Sequence, residues 1–174
     1  MRFANSKVVM DYNVIITAYR NELKFLIKDL KAYGQFNRTS FRDVIVGTVI
    51  DINAFMSQLV INPPLSLARV MPVDKVINFT DPDELIKVLE AEVVKLKLKK
   101  SDSFRVTVER RGWKGVINSY EWAKKLGGLI NDAKGNKVDL TNPSVEVVIE
   151  VMDKSCGLSL ITRKMKADYF FVKT

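Results

Sequence analysis

Hydrophobic and polar positions change period several times along this chain, and each change marks an element. Residues 11–18 (DYNVIITA) are a short β-branched run bounded by polar residues and read as a buried strand. Leu23, Leu26, Ile27, Leu30 and Tyr33 then recur at helical spacing up to Gly34, which is placed as a C-cap. FRDVIVGTVI at 41–50 reads as a second strand. Asp51 caps a short helix carrying Ile52, Phe55, Met56, Leu59 and Val60 on one face. Asn62-Pro63-Pro64 ends it, because proline cannot continue a helix and restricts its predecessor. Residues 66–70 and 73–79 are two further extended pieces, separated near Pro72. The outline up to this point is β-α-β-α-β-β, a small ferredoxin-like α+β unit.

The second half opens on a strong start signal. Asp81 is the N-cap, Pro82 stands at N1 and Glu84 at N3, a capping box. Leu85, Val88, Leu89, Val93 and Leu96 continue the helix to about Leu98, and Lys95, Lys97, Lys99 and Lys100 then complement its C-terminal dipole. Phe104, Val106 and Val108 alternate with Arg105, Thr107 and Glu109 as a half-buried strand. A basic loop, RRGWKG at 110–115, leads to a second capping box at Asn118 and Glu121. In the following helix Trp122, Ala123, Leu126 and Ile130 face the core, and Gly135 ends it. Gly127 and Gly128 sit mid-helix, where each costs about 1 kcal/mol relative to alanine. Such a pair marks close helix–sheet packing or a backbone left bare for a ligand, and packing is the usual reason.

Residues 138–140 are a short extended piece before Pro143. Val145, Val147, Ile149 and Val151 alternate with Glu146 and Glu150 as a strand, followed by a turn at 153–157 and a partner strand at 158–162. Cys156 falls in that turn and reads as structural. The basic, then aromatic tail (RKMKADYFFVKT) reads as packing against the core or as a partner's docking segment, packing being favoured. The unit boundary falls between Val73 and Asp81, giving an N-terminal unit at 1–75, a second unit at 76–165 and a tail at 166–174.

Composition narrows the chemistry. The chain has 174 residues, 47% of them hydrophobic, enough for one domain or two small ones. No apolar run approaches the roughly 20 residues of a membrane helix, and the start lacks a signal-peptide core, so a soluble, cytoplasmic protein is expected. One cysteine cannot form an internal disulfide and agrees with a reducing compartment. Histidine is absent, which removes the commonest general base and leaves no credible zinc site. No G-x-G-x-x-G follows a strand, and Gly112-Trp113-Lys114-Gly115 is too short for a phosphate-binding P-loop. Glu109, Glu146 and Glu150 alternate with core residues and read as a solvated face or as partners for nearby lysines rather than an acid/base pair. No catalytic residue, metal or small-molecule cofactor is expected.

The net charge of +8 points to an anionic partner, and its distribution is uneven. Residues 95–125 hold ten basic and three acidic residues, +7 of the total. Arg110, Arg111 and Lys114 emerge from a strand end beside a capped helix N-terminus, which adds free N–H groups for phosphate. Trp113 is either a stacking surface for an unpaired base or an aromatic plug over the sheet edge. Lys124 and Lys125 lie on the polar side of the helix. RNA with an exposed end suits this surface better than duplex DNA, since no recognition helix or dimer motif is visible.

Arg110-Arg111-Gly112, Ser119, Gly127-Gly128, Val138-Asp139-Leu140, Pro143 and the strand VEVVIEV at 145–151 resemble, in order and spacing, the THUMP domain, over about residues 75–165. The resemblance implies an α/β RNA-binding module of the kind found in tRNA-modifying enzymes, preceded by a ferredoxin-like domain, the two together recognising the tRNA acceptor end. It carries a binding role to Arg110, Arg111, Ser119, Lys124 and Lys125, while Trp113 and Lys114 rest on the physical argument alone. No catalytic domain follows in the sequence, which resembles a stand-alone, non-catalytic adaptor. Such an adaptor delivers tRNA to a separate acetyltransferase that makes N4-acetylcytidine in the D-arm. Two other readings stay open: an RNA-binding subunit of another tRNA-modifying enzyme, and a protein-interaction module.

Overall fold

The computed structural model describes residues 10–174; residues 1–9, counted above with the N-terminal unit, lie outside the described residues. Two four-stranded sheets organise the molecule. The first unit comprises β1 (Val14–Ala18), α1 (Leu23–Leu30), β2 (Gly34–Arg38), β3 (Val44–Val49), α2 (Ile52–Ile61) and β4 (Leu67–Pro72), with sheet order β2-β3-β1-β4. All its pairs are antiparallel. The order of elements is therefore β-α-β-β-α-β, the split βαβ form of the ferredoxin-like fold, and not β-α-β-α-β-β. Strand β2 (GQFNR) has a single apolar residue, Phe36, and gave no period-2 signal. Gly34 opens that strand instead of capping α1, and a Cβ there would stand 2.3 Å from the Thr48 carbonyl of β3. Close strand approach, rather than helix capping, explains the glycine.

The second unit takes β5 (Lys75–Asn78), α3 (Pro82–Val93), β6 (Phe104–Arg111), α4 (Ser119–Lys134), β7 (Val145–Met152) and β8 (Ser155–Thr162), with sheet order β5-β8-β7-β6. Strands β6 and β7 are parallel, and α4 supplies the crossover between them. The extended piece at 138–140 adds a one-residue parallel bridge, Phe104 to Val138, on the outer edge of β6. Asp81 caps α3 by accepting the Glu84 N–H at 2.9 Å, and Glu84 Oε2 takes the Thr80 N–H at 2.7 Å. Helix α3 stops at Val93, short of Leu98: Lys95 and Leu96 donate to carbonyls three residues back, and Leu96 and Leu98 stand two apart rather than at helical spacing. Lys97, Lys99 and Lys100 thus lie beyond the helix end. Asp153 and Lys154 alone connect β7 to β8, so Cys156 lies in a strand and not in a turn. Its thiol is fully buried, and burial raises its pKa.

Strand β7 is buried along its whole length because both faces of the second sheet are covered. Val147, Ile149 and Val151 join Phe104, Val108, Leu85, Leu89, Leu126 and Ile130 under α3 and α4. Val148 and Met152, on the other face, share the core of the first sheet with Ile15, Val70 and Met71. The tail completes that layer. Helix α5 (Arg163–Asp168) is followed by buried Phe171 and Val172, and the Val70 N–H donates to the Phe171 carbonyl at 3.0 Å.

Candidate nucleic-acid interface

Successive residues of a strand point to opposite faces, which divides the basic segment in two. On β6 the residues Phe104, Val106, Val108 and Arg110 belong to the α4 face, and Arg105, Thr107, Glu109 and Arg111 to the face that meets the first unit. Arg110 keeps company with α4. Its guanidinium donates to the Gly112 carbonyl at 3.3 Å, and among the described residues it has no carboxylate partner. Arg111 turns the other way, onto Glu150 (Nη2 to Oε1, 3.2 Å).

Glu150 is the centre of a buried network. Its carboxylate, 1% exposed, also receives Arg69 of β4 at 3.1 and 2.9 Å, and Arg69 reaches Glu109 at 3.3 Å and the Lys173 carbonyl at 2.7 Å. Glu146, two pleat repeats earlier, accepts from Arg105 at 2.7 Å and from Lys166 of α5. Burial alone would raise the Glu146 carboxyl, but Lys166, Thr174 and Arg105 together bring it below the ordinary carboxylate value. Burial raises Glu109, against the opposing charge of Arg69. The two glutamates of β7 are therefore not a solvated face, and of their partners only Lys166 is a lysine, the others being Arg69, Arg105 and Arg111. The second layer of the fold, invisible to the local pattern, covers them.

The loop after Arg111 is tightly turned. Gly112, Trp113 and Gly115 all have positive φ (85°, 52° and 80°), an uncommon conformation for a residue as bulky as tryptophan. Trp113 is tied into the molecule. Its ring N–H donates to the Asp153 carbonyl at 2.6 Å, and the ring lies 6.1 Å from that of Phe79. The Asp153 carboxylate accepts a hydrogen bond from the hydroxyl of Ser40, in the β2–β3 connection of the first unit. Three connections thus converge: 39–43, 112–118 and 153–154. Of the two roles open to Trp113, the plug accounts for these contacts. One side of the indole also lines a cleft of about 400 Å³ with Met10, Asn78 and Lys154.

Helix α4 begins at Ser119, half-buried, with Asn118 Oδ1 accepting the Glu121 N–H at 3.2 Å. Lys114 and Lys124 are exposed and form no ion pair among the described residues, whereas Lys125 is salt-bridged to Glu90 of α3. Among the described residues, Arg110 at the end of β6, Lys114 in the loop that leads into α4 and Lys124 on α4 are left without a carboxylate partner, whereas Arg111 and Lys125 are engaged elsewhere. A Cβ on Gly127 would make ordinary contact with Val106 at 3.7 Å, and one on Gly128 would meet nothing. Both glycines line an apolar groove of about 400 Å³ with Tyr120, Lys124, Val138 and Leu140. Close packing explains at most the first glycine.

Sequence reasoning passed over a second basic concavity. Lys24, Arg38 and Arg42 line a hollow of about 500 Å³ in the first unit, together with Thr39, Ser40 and Phe41, close to where the three connections meet. Arg38 and Arg42 flank the β2–β3 connection while Lys24 comes from α1, so the hollow forms only where α1 lies beside that connection; Asp43 also lines it and pairs with Arg42 at 3.6 Å. Among the described residues no group of three or more His, Cys, Asp and Glu is placed to hold a metal ion, and no helix is long and apolar enough to cross a membrane.

No curated protein matches the chain. Solved structures share its fold at low identity. TrmN from Thermus thermophilus superposes with a TM-score of 0.64 at 18% identity, over 84% of this chain and 44% of its own. PH1313 from Pyrococcus horikoshii gives 0.57 at 18%, over 86% and 55%. A 4-thiouridine synthetase, solved in complex with RNA and bound ATP, gives 0.56 at 18%, over 87% and 41%. The chain thus spans about half the length of these structures. Residues 79–161 match the THUMP domain family. That span runs from Phe79, under Trp113, to Ile161 of β8, and it encloses the whole basic segment; residues 79–161 are a THUMP domain.

Proposed function

We propose that this chain is a tRNA-binding component of a tRNA-modification system. The observation that carries the reading is the THUMP domain's own surface. Among the described residues, Arg110 at the end of β6, Lys114 in the loop into α4 and Lys124 in the second turn of that 16-residue helix have no carboxylate partner, and the helix's capped N-terminus adds N–H groups and a dipole that favour phosphate. The RNA-bound 4-thiouridine synthetase, a structure of the same fold, supports the choice of RNA over other polyanions. The chain itself acts as a non-catalytic adaptor that presents tRNA, held by its acceptor end, to a separate acetyltransferase forming N4-acetylcytidine in the D-arm. Its buried carboxylates support a binding role, because Glu146 and Glu150 are each held by two cationic side chains.

Binding to tRNA in a salt series tests the first part. Affinity should fall linearly on a log–log plot, with a slope of about 0.7–0.9 per phosphate contacted, and a flat response would exclude this surface. Nucleoside mass spectrometry of tRNA from cells lacking the gene tests the second. Loss of N4-acetylcytidine alone supports the adaptor; unaltered N4-acetylcytidine rejects it, and loss of a different modified nucleoside assigns the chain to another enzyme.

A further inference from the structure

We propose that Arg111 does not touch the RNA and instead acts as a positioning residue, holding the basic loop against the first sheet through Glu150 and Arg69; the proposal rests on the RNA-binding reading above. The adjacent arginines look equivalent in sequence, but the strand turns their side chains to opposite faces. Arg111 donates to Glu150 through Nε at 3.2 Å, and the same carboxylate oxygen receives Arg69 at 3.1 Å. Arg69 is in turn fixed by the Lys173 carbonyl and Glu109. A continuous path therefore runs from β4, through one buried carboxylate, to the residue at which the chain leaves β6.

Gly112 comes next, in a positive-φ conformation and packed near the Phe41 ring of the first unit. A swing of Arg111 would carry Arg110 and Lys114 with it. Turning Arg111 outward to a phosphate would withdraw it from a carboxylate that is 1% exposed and leave Glu150 to Arg69 alone. Lysine cannot reproduce the arrangement, because it lacks the planar fork that Glu150 meets. Arg69, far from the basic segment in sequence, thereby becomes a determinant of RNA affinity.

The experiment measures tRNA binding in a salt series for the wild type, Arg110→Ala, Arg111→Ala, Arg111→Lys, Arg69→Ala and Glu150→Gln. Thermal melts and amide hydrogen exchange at 112–117 are followed in parallel. Arg110→Ala should reduce the salt slope by about one phosphate contact, 0.7–0.9. Arg111→Ala and Arg69→Ala should weaken binding several-fold at every salt concentration with an unchanged slope, and their double variant should be no weaker than either alone, since both act through one carboxylate. Arg111→Lys should fail to restore affinity, and exchange at 112–117 should quicken in all the network variants. A reduced slope in Arg111→Ala, or full rescue by lysine, makes Arg111 a phosphate contact and overturns the proposal. If the wild type binds no tRNA, the RNA reading falls with it. Loop exchange in Glu150→Gln and Arg69→Ala then decides positioning alone: faster exchange with a cooperative melt supports it, and unchanged exchange rejects it.

Discussion

On one face of β6, Phe104, Val106 and Val108 lead to Arg110; on the other, Arg105, Thr107 and Glu109 lead to Arg111. The first face is covered by α4 and ends in a cation with no carboxylate partner among the described residues. The second meets the first unit across two buried glutamates and ends in a cation held by one of them. The difference shows that charge density locates a binding segment but does not say which charges remain for the ligand. Within 105–125, Arg105, Arg111 and Lys125 are engaged by Glu146, Glu150 and Glu90, and Arg110, Lys114 and Lys124 have no acidic partner among the described residues.

The comparison breaks most visibly at Glu150. Glu150→Ala takes the carboxylate partner from Arg111 and leaves Arg69 only Glu109 and the Lys173 carbonyl, and should destabilise the protein by about 3 kcal/mol in chemical denaturation. A loss below about 1 kcal/mol would mean that the second face is no more structural than the first.

Acid should act on the same face through Glu146. Its folded-state pKa lies below the unfolded value, so the ionised form contributes stability above the ordinary carboxylate range, and that stability is lost as pH falls through the lowered pKa. Melting temperatures between pH 7 and 3 should fall less steeply for Glu146→Gln than for the wild type. Glu109 runs in the opposite sense. Its raised pKa means that protonation relieves a burial penalty, so Glu109→Gln should leave a steeper acid loss.

On the α4 face the expected stability changes are smaller and include a gain. Gly128→Ala should stabilise the protein by about 0.5–1 kcal/mol, because the added methyl meets nothing and alanine is the better helix former. Destabilisation would reveal a contact on that helix face. Arg110→Ala combined with Lys114→Ala should leave stability within about 0.5 kcal/mol while reducing the salt slope of tRNA binding by two contacts. A large stability loss would place these cations in the architecture after all.

Much of the fold was legible residue by residue. The caps at Asp51, Asp81 and Asn118 form in the structure as their side chains dictate. The alternation at 104–109 and 145–151 gave true strands, though β6 runs on through Arg110 and Arg111, which the local pattern places in the loop, and β7 through Met152. Strand β2 escaped because its extended form is imposed by pairing with β3, not by its own residues. The end of α3 was overrun because Leu96 and Leu98 are apolar and pack on the same core without being helical. In the candidate site, Arg110, Lys114 and Lys124 could be read from local charge, while Lys24, Arg38 and Arg42 could not.

By itself, then, the sequence determined what depends on neighbours: helix starts, the two-residue period of the strands and the concentration of positive charge in one segment. Tertiary structure decided what depends on distance through space. Arg69 and Glu150 are 81 positions apart, and Arg111 and Glu150 are 39 apart. Whether a cation meets a carboxylate or waits for a phosphate is set by which sheets pack face to face, and no local pattern encodes that.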